Sequence, residues 1–274
     1  MRVHDDHDTV DAALSAARAS AFAPGEYVGQ QSFVTAGEVL ALARRARVGP
    51  GVRVLDLCCG VGGPGLHVTG ELGCDYLGVD ASTAAIGRAR ERASAAGLTA
   101  RFEVMHVPPL PPGPFDVVLL FETMLAFADK PALIEQVAAA VPLGGRFAFT
   151  LEEGDPLTAA ERAVMPGADT VWLTPLKTLV ADLEHSGLRV AWCDELTASH
   201  LATVDALVGA YADVAPRLLP AGGDGTVTGI LTAHHTWSRW LREGRVRKFS
   251  VVAEKVSRQG VSSGRRSLPA TGCR

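Results

Sequence analysis

Several glycines between residues 60 and 65 carry the clearest chemical signal in the sequence. They follow an apolar run at 52–57, which is typical of a central strand in a parallel sheet, and Pro64 suits the first turn of a following helix. Gly60 and Gly62 allow a tight turn and a close approach of a ligand to the backbone. The pattern therefore predicts a strand, a turn and a helix whose N-terminus faces a ligand.

The choice of ligand depends on one acidic residue. The glycines also fit the G-x-G-x-x-G pattern of dinucleotide-binding folds, so a nicotinamide-dependent oxidoreductase is one hypothesis. Asp56 stands four positions before Gly60, at the carboxyl end of the predicted strand. A carboxylate there opposes a pyrophosphate and favours a ligand with an amino group and a sulfonium. S-adenosylmethionine is such a ligand, and we expect it as the cofactor.

The motif around these glycines resembles that of a known family. Residues 54–62, Val-Leu-Asp-Leu-Cys-Cys-Gly-Val-Gly, are similar to the first motif of class I S-adenosylmethionine-dependent methyltransferases of the small-molecule, natural-product type, with Cys58 in place of its first glycine. Phe-Asp-Val-Val at 115–118 and Leu-Gly-Gly at 143–145 resemble the family's fourth and fifth strand segments. The resemblance covers residues 30–155. It implies a Rossmann-like α/β fold with a seven-stranded, mostly parallel sheet and a helical cap.

Helical and strand patterns divide the chain into three parts. We predict an N-terminal helical lid at 1–47 and a Rossmann-like methyltransferase domain at 48–256, in which an insertion at 197–244 forms the helical cap. Residues 257–274 are rich in glycine, serine and arginine and are predicted to be disordered.

Composition limits the partners. The chain has 47% apolar residues and a net charge of −4 over 274 residues. This composition predicts a soluble globular protein with no nucleic-acid partner. The basic run at 242–248 is interpreted as a solvated helix end. No apolar run suits a membrane span, no secretory signal is evident and no C-x-x-C spacing occurs, so we expect a cytoplasmic protein without membrane or metal. The expected partner is a small molecule, bound by a monomer or homodimer.

Further residues are expected at the cofactor. Asp80 ends the second predicted strand 20 residues after Gly60, where a carboxylate can accept hydrogen bonds from both ribose hydroxyls, and Ala81 follows it. His106 stands where family members commonly carry the acid that holds the adenine amino group. Phe121 ends the fourth predicted strand, at the edge where open α/β sheets bind ligands.

Candidates for catalysis lie in three segments. Glu122 opens onto the same edge as Phe121, and His200 and His234 each lie on an apolar stripe of a predicted cap helix. Such histidines are more often packed core residues, so both interpretations stay open. We expect Glu122, His200 or His234 to remove the proton released at the methylated atom, and Tyr27, on a loop of the lid, to orient the substrate.

Two other segments have alternative interpretations. Tyr27, Gln30 and Gln31 are candidates to touch cofactor or substrate, although an ordinary connecting loop fits them equally well. Glu152 and Glu153 follow the fifth predicted strand, over the expected substrate pocket. Either is a candidate base, although an exposed acidic loop is the more common interpretation of such a pair.

Aromatic residues in the lid and cap indicate the acceptor. They favour methylation at carbon of an electron-rich ring, for instance an indole, in specialised metabolism, with N- or O-methylation of a small molecule as the alternative. A cofactor-binding protein without catalysis is a further hypothesis.

Overall fold

A computed structural model describes residues 12–218 and 224–257 of the chain. The strands are β1 (Arg53–Leu57), β2 (Asp75–Asp80), β3 (Ala100–Val104), β4 (Val117–Leu120), β5 (Arg146–Glu153), β6 (Leu188–Glu195) and β7 (Arg247–Lys255). They form one seven-stranded sheet in the order β3-β2-β1-β4-β5-β7-β6.

Helices connect the strands. They are α1 (12–20), α2 (Ala36–Arg45), α3 (Gly63–Leu72), α4 (Thr83–Ala95), α5 (Lys130–Ala140), α6 (Ala159–Val164), α7 (Leu176–His185), α8 (Thr197–Leu218) and α9 (Asp224–Arg242). The pair α8 and α9 lies between β6 and β7, where the sequence predicts the cap. Residues 1–11 of the predicted lid and 258–274 of the predicted tail lie outside the described residues.

The sheet is parallel except at one strand. The neighbouring strands from β3 through β2, β1 and β4 to β5 pair in parallel, whereas β7 runs antiparallel to both β5 and β6. This arrangement confirms the predicted Rossmann-like, mostly parallel seven-stranded sheet.

Apolar cores cover both faces of the sheet. Along β4, Val118 and Leu120 pack into the cluster that includes α5 and α7, while Val117 and Leu119 pack into the cluster that includes α2, α3 and α4. All four side chains are buried. A strand covered on both sides needs apolar residues at every position, which explains the unbroken apolar runs in the sequence.

Two sequence predictions differ from the structure in detail. The strand predicted at 101–106 ends at Val104, before the proline-rich segment at 108–114. The short helix α6 has no counterpart among the predictions; it begins with a capping box in which Thr158 and Glu161 each bond the other's backbone. Within 12–218 and 224–257, no helix is both long and apolar enough to cross a membrane.

Two glycines of α3 give a matched test of packing. A Cβ on Gly65 would overlap the Tyr76 hydroxyl, so we expect Gly65→Ala to displace Tyr76 and lower the free energy of unfolding by about 1–3 kcal/mol. A Cβ on Gly70 would lie 3.8 Å from Leu98, which is an ordinary contact. We therefore expect Gly70→Ala to raise the free energy of unfolding by about 0.5–1 kcal/mol. Urea unfolding followed by circular dichroism measures both variants. Equal stability of the two would contradict the packing described for Tyr76.

Candidate active site

A cavity of about 430 Å³ lies at the carboxyl edge of the parallel strands. Its lining includes residues that end or follow β1, β2, β4 and β5, together with 29–33 of the N-terminal segment and three residues of α9. Ligands of open α/β sheets bind at this edge, and mostly apolar cavities with a few polar groups are typical binding sites.

The turn after β1 forms one end of the cavity. Cys58, Gly60 and Gly62 have φ angles of 56°, 55° and 75°, all in the left-handed region. Cys58 thus holds the conformation of the glycine that it replaces in the motif, at a cost of about 1 kcal/mol or more. A Cβ on Gly63 would lie 2.5 Å from the Val28 carbonyl oxygen, so the N-terminal segment packs directly on this turn. Gly62 is the N-cap of α3 and does not line the cavity.

Asp80 connects this turn to α4. Its Oδ2 accepts a hydrogen bond from the backbone N–H of Gly60 at 2.9 Å, and its Oδ1 accepts one from Ser82 at 2.8 Å. The residue lines the cavity, next to Gly60. Carboxylate oxygens accept more than one hydrogen bond, so Asp80 retains capacity for a ligand. Ala81 is exposed beside it and does not line the cavity.

The position of Asp56 corrects the sequence interpretation. Its side chain is buried, 2% exposed, and accepts a hydrogen bond from the Tyr76 hydroxyl at 2.6 Å instead of facing the cavity. Burial raises the pKa of Asp56 to about 7, and the Tyr76 hydroxyl opposes part of that rise. The argument that Asp56 selects between cofactors therefore fails, because its carboxyl group meets Tyr76 of β2.

Of two other residues predicted to contact the cofactor, the structure places Phe121 at the cavity and His106 away from it. Phe121 is buried and lines the cavity. His106 follows the end of β3, is exposed and does not line the cavity. Because β3 ends two residues earlier than predicted, His106 does not occupy the strand end where an adenine ligand was expected.

A buried ion cluster lies beside the cavity, formed by Lys248 with Glu122 and Glu152. The Lys248 ammonium contacts both carboxylates, and the three side chains are only 2%, 6% and 2% exposed in that order. Burial opposes the charge on Lys248, but the two carboxylates outweigh it and raise its pKa. Two carboxylates with one ammonium leave one negative charge in this ion cluster.

The ion cluster corrects the interpretation of one residue in each of two segments. Lys248 belongs to the basic run at 242–248 but is buried in β7, and Glu152 is 1% exposed on β5 rather than on an exposed loop. The backbone N–H of Glu122 donates to Thr150 Oγ1 at 2.7 Å, and Phe33 donates its N–H to Glu122 Oε2 at 3.3 Å. Glu122 is therefore held on several sides.

His200 packs against the ion cluster. It is 3% exposed, does not line the cavity, and its Nε2 accepts a hydrogen bond from Trp237 Nε1 at 3.3 Å. Burial, followed by the Lys248 charge, lowers the pKa of His200 to about 3. Ligand atoms of His200, Glu122 and Glu152 lie within 4.8 Å of one another, as in a metal site, but the Lys248 ammonium already contacts both carboxylates.

His234 lines the cavity with a defined tautomer. Its Nδ1 lies 2.7 Å from the Ile230 carbonyl oxygen, which can only accept, so Nδ1 carries the proton. Its Nε2 is buried and has no partner among the described residues. Burial lowers the pKa of His234 to about 4. The ring meets Phe33 and Tyr211 edge-on, at centroid distances of 5.3 Å each.

The N-terminal loop is fixed over the glycine turn. Gln30 is 1% exposed; its side chain accepts from the Val28 N–H at 2.7 Å and donates to the Val34 carbonyl at 2.8 Å, so it shapes the loop. Arg92 of α4 donates to the carbonyls of Val28, Gly29 and Val61 at 2.7, 3.3 and 3.3 Å.

Tyr27 lies outside the cavity beside the glycine turn. It packs on Phe22, with centroids 5.5 Å apart, and lines a second cavity of about 540 Å³ with Arg18 and Tyr211. The structure therefore does not bring Tyr27 to the same cavity as His234.

The cavity unites part of the predicted set and adds residues that were not predicted. Predicted residues that line it are Gly60, Asp80, Phe121, Glu122 and His234, together with the candidates Gln30 and Gln31. Trp237, which helical spacing places on the stripe of His234, lines it as well. Residues that line or adjoin it without having been assigned a role are Phe33, Thr150 and Lys248.

The burial of Asp56 predicts a pH-dependent effect of Asp56→Asn. Because the pKa of Asp56 is raised from 3.8 to about 7, the folded protein keeps a proton that the unfolded chain loses in that range. Stability from this proton is present below about pH 4 and is lost as pH rises through 7, by up to about 1.4 kcal/mol per pH unit. An asparagine at position 56 does not titrate, so Asp56→Asn loses no stability by deprotonation.

We therefore expect the stability of Asp56→Asn relative to the natural protein to increase between pH 5 and pH 8, as measured by urea unfolding at both values. A difference that does not change with pH would contradict the buried, protonated state of Asp56.

Comparisons with known proteins identify the domain. Residues 54–145 match a family model described as a methyltransferase domain. Phosphoethanolamine N-methyltransferase 3 of Arabidopsis thaliana is 33% identical over 103 residues, which are 37% of this chain and 21% of that protein. The chain covers between 21% and 33% of the first curated relatives that it matches.

Solved structures share the fold. Phosphoethanolamine N-methyltransferase 2 of Haemonchus contortus, determined with S-adenosylhomocysteine, aligns with a TM-score of 0.70 at 18% identity over 81% of this chain and 53% of that one. The [4+2]-cyclase SpnF aligns with a TM-score of 0.71 at 19% identity over 93% and 96% of the two chains. At these identities the likeness shows the fold alone.

The matching domain and the motif agree on the cofactor. Its homologues are named as methyltransferases, and structural neighbours were determined with S-adenosylmethionine or S-adenosylhomocysteine. The nicotinamide hypothesis is set aside, and the resemblance predicted from the sequence is confirmed over residues 54–145, which match a methyltransferase domain of the class I S-adenosylmethionine-dependent kind.

Proposed function

We propose that this protein transfers the methyl group of S-adenosylmethionine to a small aromatic acceptor that carries an N–H or O–H group. One observation carries the proposal. A single cavity connects the glycine turn and Asp80 with the aromatic side chains of Phe33 and Trp237 and with His234, whose Nε2 has no partner among the residues that the structure describes.

The residues at the glycine turn fit the cofactor. Gly60 leaves the backbone open, since nothing lies within 4 Å of a Cβ built there, and Asp80 is placed to accept hydrogen bonds from ribose hydroxyls. When bound, S-adenosylmethionine supplies an electrophilic methyl group. This chain aligns the acceptor with that methyl group and excludes water from the site.

Charge in the cavity favours cations. Asp80, Glu122 and Glu152 line it, and within the described residues no lysine or arginine does so. This field suits the sulfonium of the cofactor, which S-adenosylhomocysteine lacks. It opposes a phosphate, so phosphoethanolamine, the substrate in the names of several relatives, is a poor match for this cavity.

The acceptor end of the cavity favours an aromatic ring. Phe33, Phe121 and Trp237 line it and provide faces and edges for ring packing. An indole N–H placed among them donates to Nε2 of His234, which increases electron density on the ring carbons. With a pKa lowered to about 4, His234 accepts a hydrogen bond more readily than it holds a proton. This balance supports methylation at carbon.

For N- or O-methylation, the same Nε2 of His234 is the group that receives the proton of the attacking atom. Glu122 is a less suitable base, because its carboxylate is paired with Lys248. A cytoplasmic location and a role in specialised metabolism stay predictions from the sequence.

Calorimetric titration with S-adenosylmethionine, S-adenosylhomocysteine and nicotinamide cofactors tests the first step. We expect dissociation constants on the order of micromolar for the first two alone. Asp80→Asn is expected to weaken binding about tenfold, because one ribose oxygen loses a charge-assisted hydrogen bond. Asp116→Asn is the matched control, since the Asp116 side chain is 39% exposed, pairs with Arg53 and precedes β4 at the opposite edge. Binding of a nicotinamide nucleotide alone would refute the proposal.

Methyl transfer itself is tested with His234→Phe. The phenyl ring retains the packing against Phe33 and Tyr211 but lacks Nε2, so we expect kcat/KM for an indole acceptor to fall about tenfold or more with unchanged S-adenosylhomocysteine affinity. Turnover is followed as a mass gain of one methyl. His235→Phe, at an exposed neighbouring position, is the control. Full turnover by His234→Phe would exclude the assigned role. A [4+2]-cyclase shares this fold. If the natural chain gave no methylated product, the result would favour a protein that binds the cofactor without transferring its methyl group.

A further inference from the structure

Two buried acceptor atoms without partners among the described residues belong to side chains that line the same cavity. In the part of the chain that the structure describes, the buried side-chain polar atoms without a hydrogen bond are Arg146 Nε, Glu152 Oε2 and His234 Nε2. Glu152 and His234 line the cavity, whereas Arg146 pairs with Glu254 at 2.7 Å elsewhere. Native proteins rarely leave such atoms unsatisfied, so a pair of them in one cavity indicates a ligand with two donors.

The two acceptors differ in charge. Lys248 contacts Glu152 through Oε1, which leaves Oε2 as the free oxygen of a buried carboxylate in an ion cluster with one excess negative charge. His234 Nε2 is the lone pair of a neutral imidazole. A carboxylate in this setting favours a cationic N–H donor, while the imidazole favours a neutral N–H or O–H.

A flat ring lies beside His234 and beside the His200 ring, which adjoins Glu152. The Phe33 ring is 5.1 Å from the His200 ring and 5.3 Å from the His234 ring. Phe33 also lines the cavity, so its ring offers a packing surface to a ligand that reaches both acceptors, which suits an aromatic body with a short side chain.

We propose that the acceptor substrate is an arylalkylamine. Its ring N–H or O–H donates to Nε2 of His234, and its protonated amine donates to Oε2 of Glu152. This inference rests on the proposed function and narrows its substrate class.

Binding to the natural chain saturated with S-adenosylhomocysteine tests the substrate class. The probes for calorimetry are tryptamine, 1-methyltryptamine and indole-3-propionate. We expect tryptamine to bind about tenfold or more tightly than indole-3-propionate, which presents an anion to Glu152, and several-fold more tightly than 1-methyltryptamine, which lacks the ring N–H. Equal affinities for tryptamine and indole-3-propionate, or no tryptamine binding, would overturn the proposal.

The variant Glu152→Gln tests whether the preference for an amine depends on the Glu152 carboxylate. We expect this variant to bind tryptamine about tenfold more weakly and S-adenosylhomocysteine as before. Glu153→Gln is the matched control: its carboxylate is next along β5, bonds Arg247 at 2.6 Å and does not line the cavity. Weaker S-adenosylhomocysteine binding by Glu152→Gln would assign Glu152 to the cofactor and overturn the subsite.

Different results refute the proposed function and the arylalkylamine subsite. If the natural chain does not bind S-adenosylhomocysteine, the proposed function is refuted. If it binds S-adenosylhomocysteine but shows no preference for the amine, only the arylalkylamine subsite is refuted. The comparison among the three probes requires no variant, so it remains decisive if Glu152→Gln does not fold.

Discussion

The contact of one buried ammonium with two buried carboxylates constrains the architecture around the cavity. Lys248 lies directly opposite Glu152 in the antiparallel register of β5 and β7, and Glu122 follows the end of β4. A shift of the register by one residue would turn Lys248 to the other face of the sheet, against an apolar core, and leave both carboxylates buried without a counter-ion, which is strongly unfavourable. The ion cluster therefore fixes β7, and with it the return of α9 to the sheet.

The fold was predictable because its signals are local. Apolar runs, the glycine turn and the acid that ends β2 each fall within a few residues, and the structure places them as expected. Asp56 shows the limit of such reasoning. In β1, Leu55 and Leu57 face one core and Val54 the other, so the period of two turns Asp56 toward the second core and Tyr76. The sequence prediction reached the cofactor family from an incorrect placement of Asp56.

The polar interior of the site depends on contacts between distant residues. Glu152 and Lys248 are 96 positions apart, and His200 and Trp237 are 37 apart. A basic run next to a helix end is typical of a solvated surface, and only the pairing of β7 with β5 shows that one of its members is buried. The stripe that contains His234 was predictable from helical spacing, but the lack of a partner for its Nε2 among the described residues was not.

The loop over the glycine turn has a kinetic consequence. One guanidinium, that of Arg92, bonds three carbonyls, two in the N-terminal loop and one in the turn below it. Separation of the loop from the turn breaks the two bonds that Arg92 makes to the loop, those to Val28 and Gly29. The residence time of a molecule enclosed beneath the loop is thereby linked to a single side chain on α4, outside the lining of the cavity.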